Sequence, residues 1–157
     1  MLVSRKRVLT VLAAFTVLFS VMSMLTPAAQ AAGKVAGAGD VGAMAWTPVI
    51  SPIYSDRETV TRNLSTADRD YLLSHCPSGY LCVAAGQGDG RHSGWKLYHC
   101  NRRSVSNFID AGAMTNHQTG GAVAQTRGQN LNLLDSIPPD NRKHGIHTYE
   151  TWYIDVC

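Results

Sequence analysis

Four cysteines, Cys76, Cys82, Cys100 and Cys157, constrain this chain more than any other feature. All four follow an N-terminal stretch that reads as an export signal, so they are expected in an oxidising compartment, where an even count pairs into disulfides. Spacing alone leaves the connectivity open. The turn-forming Pro77-Ser78-Gly79 favours Cys76–Cys82, and a Cys100–Cys157 bridge would then tie down the last residue. Neither CxxC spacing nor a paired CxxC/HxxxH array is present, so no metal site is expected from the cysteines.

The signal itself begins with Arg5, Lys6 and Arg7, directly before an apolar run from Val8 to Leu25. Small residues follow Pro27 in Ala28-Ala29-Gln30-Ala31-Ala32, and this order predicts a signal peptide over 1–31 with cleavage after Ala31. A permanent anchor is the rival, since about 18 apolar residues can just span a bilayer. Thr10, Thr16, Ser20 and Ser23 within the run, and the cleavage-like site after it, favour removal and a secreted, extracellular protein. Charge points the same way. The chain has 14 Lys and Arg against 11 Asp and Glu, and residues 1–31 hold three of the basic ones and no acidic one, so 11 of each remain. A formally neutral mature protein lacks the basic footprint of a nucleic-acid or anionic-membrane binder.

Residues 32–63 read as a flexible leader or propeptide. The first part is mostly Ala and Gly; from Trp46 to Asn63 apolar residues are scattered without a period, compatible with a propeptide, an extended arm or an edge strand. A domain over 64–157 is expected to open with a short helix, because Ser65-Thr66-Ala67-Asp68 resembles a capping box and Tyr71, Leu72 and Leu73 can form one apolar patch. Beyond Cys76 short strands alternate with glycine-rich turns. The expected strands are Tyr80–Ala85, Trp95–Cys100, Val105–Ile109, Ala122–Thr126, Leu131–Leu134 and Thr148–Val156, the last with Trp152, Ile154 and Val156 on its buried face. The pattern predicts an all-β, disulfide-stapled Greek-key β-sandwich.

Cys76-Pro77-Ser78-Gly79-Tyr80-Leu81-Cys82, followed by the aromatic strand Trp95–Tyr98, Ser104-Val105-Ser106-Asn107-Phe108 and Asn116-His117-Gln118-Thr119-Gly120-Gly121, resembles a known group. These are small secreted actinobacterial proteins of the metalloproteinase-inhibitor type with a βγ-crystallin-like fold, in which a CPxGxxC stretch begins the domain. The resemblance covers roughly residues 76–135 and implies a two-sheet Greek-key fold and inhibition of a secreted zinc protease. The calcium signature of βγ-crystallin modules keeps only its first position here, Asn116. Calcium prefers six to eight oxygen ligands, and His117 offers none. Calcium therefore remains conceivable on a degenerate motif, no cofactor is expected, and Asn116 and Thr119 read as turn-forming hydrogen bonders.

Among catalytic arrangements there is no Gly-x-Ser-x-Gly elbow, no His-Glu-x-x-His helix and no phosphate-cradling loop, so no catalytic residue is assigned. His147 with Glu150 and Arg142 is the best available acid–base set, of the kind a small secreted ribonuclease uses. Among the aromatics, Trp95 and Trp152 are expected in the core, and Tyr98, Tyr149 and Tyr153 form the candidate binding surface. An inhibitor needs a rigid segment to enter the protease cleft. Ser136-Ile137-Pro138-Pro139, stiffened by its prolines, ranks first, with Ser136-Ile137 as the peptide unit in the cleft; Gly86–Gly94 ranks second. The expected function is thus a monomeric, secreted protein-binding module, an inhibitor of an extracellular protease. The alternatives are a toxin or cell-wall interaction protein of the same fold, binding another secreted or cell-surface protein, and a small secreted hydrolase.

Overall fold

Short runs of alternating apolar and polar residues, punctuated by Gly and Asn, favour antiparallel strands over helices. The computed structural model describes residues 45–157, which form ten strands, one α-helix and one 3-10 turn. The first sheet holds, in spatial order, β1 (Val49–Ser51), β5 (Arg102–Ser106), β10 (Tyr153–Asp155), β7 (Ala124–Arg127) and β8 (Leu133–Ile137). The second holds β2 (Thr59–Leu64), β4 (His92–Leu97), β3 (Leu81–Gly86), β6 (Gly112–Asn116) and β9 (Lys143–Ile146). Their pairings are antiparallel. No helix among the described residues is long and apolar enough to cross a membrane. The signal peptide expected over 1–31 and residues 32–44 of the expected leader lie outside the described residues.

The two sheets share one core. Ile50, Val105, Ala124, Ile137 and Ile154 of the first meet Leu81, Val83, Ala85, Trp95, Leu97 and Met114 of the second. In β5 the strand period is visible directly: Arg102, Ser104 and Ser106 are exposed while Arg103 and Val105 are buried. β3 is buried along its whole length because both its faces are covered. Its Cys82 and Ala84 turn away from the main core and pack with Leu73 of helix α1 (Thr66–Ser74). Ser65 caps that helix, its Oγ accepting from the Asp68 amide at 3.1 Å. Disulfides join Cys76 to Cys82, fastening the helix exit to β3, and Cys100 to Cys157, fastening the β4–β5 link to the chain beyond β10.

The segment expected to lead into the domain is part of it. β1 pairs with β5 and β2 pairs with β4, so residues 49–64 supply an edge strand to each sheet. Between them Glu58 is drawn fully inside. Its carboxylate accepts from Arg103 Nη2 at 2.7 Å and from the amides of Tyr54, Tyr98 and His99 at 2.8, 3.0 and 3.0 Å. The Arg103 guanidinium also lies 4.0 Å from the centre of the Tyr54 ring. A buried ion pair thereby fixes the β1–β2 link to both sheets, and the domain begins ahead of residue 64.

The strand expected over Thr148–Val156 is divided. Thr148–Glu150 is a 3-10 turn and Tyr153–Asp155 alone is strand. Ile154 and Val156 are buried as expected, but Trp152 is 46% exposed. Its position in the chain gives it the inward parity of Ile154, yet it precedes β10, at the end of the sheet opposite the Cys157 bridge. There it lines a cleft with Phe108, Ile109 and Tyr149.

Candidate functional site

The segment ranked first for protease insertion is not a free loop. Ser136 and Ile137 belong to β8, where they pair with Gln125 and Ala124 of β7. Ile137 is 2% exposed, packs in the main core, and its carbonyl accepts from Asn116 Nδ2 at 2.9 Å. Only Pro138 and the partly covered Pro139 emerge from the strand. The assignment of Ser136-Ile137 to a protease cleft is therefore corrected. Two prolines stiffen the chain beyond the strand, but the isoleucine before them is recruited as core, the ordinary fate of a β-branched apolar residue in a strand.

Asn116 sits at the end of β6 and is fully buried. It donates to the carbonyls of Ala122 and Ile137, each at 2.9 Å, and its Oδ1 accepts from the Gln118 amide at 3.1 Å. These bonds hold the turn through Gly120 and Gly121, both at positive φ, which glycine adopts without penalty.

Of the tyrosines considered as one surface, Tyr98 contacts Tyr80 and His99 beside the Cys100 bridge. Tyr153 lies on β10 with Arg102 over its ring, and Tyr149 projects from the 3-10 turn, 77% exposed. Tyr98 and Tyr149 line separate clefts. What the structure does gather around Tyr149 is Trp152, Phe108 and Ile109, in a groove of about 290 Å³ between the β5–β6 link and the 3-10 turn. The exposed Trp152 was the signal missed, because strand parity assigned it to the core.

The acid–base set is rearranged as well. His147 Nδ1 meets Asp135 Oδ1 at 2.6 Å, and the same carboxylate accepts from the His147 amide at 3.0 Å and from Thr126 Oγ1 at 2.6 Å. The hydrogen bond to Asp135 raises the imidazole above its ordinary value. Burial pushes the Asp135 carboxyl up, but the bonds from Thr126 and His147 outweigh it and hold it low. Arg142 is not brought to this pair; its amide bonds Asp140, which also meets His144 Nε2 at 3.0 Å. No group of three or more potential metal-ligating side chains occurs among the described residues.

Of the second-ranked segment Gly86–Gly94, Gly86 ends β3 and His92–Gly94 open β4, which leaves a shorter connection between the two strands. Its five residues Gln87–Arg91 reverse the chain with Gly88 and Gly90 at positive φ. Its base is held from several sides. The Gln87 amide donates to Arg91 O at 2.8 Å, the Trp46 amide to Gln87 O at 3.0 Å, and the buried Gln87 Nε2 to Ser93 Oγ at 2.8 Å. The Gly88 amide reaches Asp110 Oδ2 at 3.3 Å, and the Arg91 amide bonds Asp89 Oδ1 at 2.9 Å. The tip, Asp89-Gly90-Arg91, is exposed. A glycine-rich loop that looks flexible in sequence is thus tied at its base and free at its tip. Comparison with known proteins adds no constraint to this geometry: no family model, curated protein or solved structure matches the chain.

Proposed function

We propose that the protein is a secreted protein-binding module, and in its most specific form an inhibitor of an extracellular protease. The observation that carries this reading is the Gln87–Arg91 loop, whose exposed tip stands on a base ordered before any partner arrives. A preordered segment loses little conformational entropy on entering a cleft, so more of its contact energy appears as affinity. Two disulfides suit an extracellular setting. The Greek-key, βγ-crystallin-like form of the sandwich belongs to the same proposal and is supported by the chain's repeated passage between the two sheets.

Titrating the protein against thermolysin-like and subtilisin-like proteases tests the reading. Inhibition should be stoichiometric, without turnover of the target, and Arg91→Glu should weaken it while the denaturation midpoint stays unchanged. A protein that instead consumed substrate at catalytic amounts would be a hydrolase, and one that inhibits no secreted protease would leave the loop without this role.

A further inference from the structure

We propose that the groove bounded by Tyr149 and Trp152 is a carbohydrate-binding site that takes a neutral sugar ring. The groove is lined by Val105 to Ile109 on one side and by residues of the 3-10 turn and Trp152 on the other, and none of its lining residues carries a charge. An ionic ligand would lose hydration there with no counter-charge to replace it. The Tyr149 ring is 77% exposed and the Trp152 ring 46%, so two flat aromatic surfaces face water beside the buried Phe108. Such amphipathic rings suit a ligand with an apolar face and a polar edge.

Polar atoms in the same walls decide between a sugar and an apolar peptide side chain. The described residues provide no hydrogen-bond partner for Ser106 Oγ, Asn107 Oδ1 or Thr148 Oγ1, whereas Thr151 Oγ1 is already committed to the His147 carbonyl at 2.7 Å. Asn107 is held in place: its Nδ2 donates to the Thr47 carbonyl at 3.1 Å and its backbone has φ 57°. An apolar side chain filling a groove lined by Ser106, Asn107 and Thr148 would displace water from polar residues and return no hydrogen bond. Sugar hydroxyls both donate and accept, and can take the place of that water. The walls are also preformed, since Trp152 O accepts from the Val105 amide and Trp152 N donates to Arg127 O, each at 2.8 Å. A volume of about 290 Å³ sits at the small end of ligand sites, suited to one or two rings.

The test is titration with neutral hexasaccharides of glucose, mannose and N-acetylglucosamine, followed by calorimetry and by tryptophan emission. Trp95 is fully buried and Trp46 stands partly covered beside Gly88, so an emission change that Trp152→Ala abolishes reports on the groove. Saturable binding to at least one sugar is expected. Tyr149→Ala, which removes a mostly exposed ring, should weaken it about tenfold, as should Trp152→Ala. Ser106→Ala should weaken it less, and Arg91→Glu should leave it unchanged, which separates this site from the proposed inhibitory loop. No binding to any of the three sugars overturns the proposal. So does sugar binding that Tyr149→Ala and Trp152→Ala leave intact, or binding only to apolar peptides.

Discussion

At Glu58 a carboxylate is fully enclosed and accepts four hydrogen bonds, one of them from the equally buried Arg103. Burial pushes its pKa up, but the amides of Tyr54, His99 and Tyr98 together with Arg103 hold the net value below the ordinary glutamate range. The folded state therefore prefers the ionised form. The stability this contributes is complete above the unfolded pKa, about 4.3, and is lost as pH falls through the lower folded value. Glu58→Gln should lower unfolding free energy by about 3–5 kcal/mol at neutral pH, because Arg103 is left buried without its counter-charge. Urea titrations across the acid range should show the variant less steeply pH-dependent than the parent. Neither partner was legible in the sequence, where a Glu among apolar residues scattered without a period and the second Arg of a pair carry no mark of burial. Trp152 was misread for the opposite reason, since parity along an apolar run does not reveal where the strand begins.

Among the elements, legibility followed apolar density. Helix α1 could be read because Ser65 and Asp68 mark its start, and β3 because Leu81 to Ala85 is uninterrupted. β6 and β9 went unread, since Gly-Ala-Met-Thr-Asn and Lys-His-Gly-Ile hold too few apolar side chains to show a period. Edge strands β1 and β2 have one neighbour each, so little of their sequence answers to burial. β8 was read too early in the chain, over Leu131–Leu134 rather than Leu133–Ile137, and that error displaced the expected reactive site. Ile137→Asp should accordingly destabilise the domain by about 4 kcal/mol or more through a buried, unpaired carboxylate, measured as a fall in denaturation midpoint. In the Gln87–Arg91 loop, Gly88 has φ 78° and the Trp46 ring stands where a β-carbon would project. Gly88→Ala should cost about 1–3 kcal/mol. It should also lower any protease inhibition, by loosening the loop base.

For the molecule as a whole, the two disulfides close loops of very different length. Cys76 and Cys82 are 6 residues apart, Cys100 and Cys157 are 57 apart. Loop-closure entropy then gives about 2 kcal/mol for the first and about 4 kcal/mol for the second. Paired Cys→Ala variants, compared by thermal denaturation, should show the larger loss for Cys100–Cys157. That bridge lies next to the strand with the most demanding position in the fold. β10 is the last strand in the chain but sits between β5 and β7, in the middle of the first sheet. The strands β1, β5, β7 and β8 all precede the strand that joins them, so this sheet cannot close before β10 is present. A chain lacking residues 153–157 should therefore stay protease-sensitive in limited proteolysis. Until β10 pairs, β1 with β5 and β7 with β8 are two separate halves that nothing in the sheet holds together.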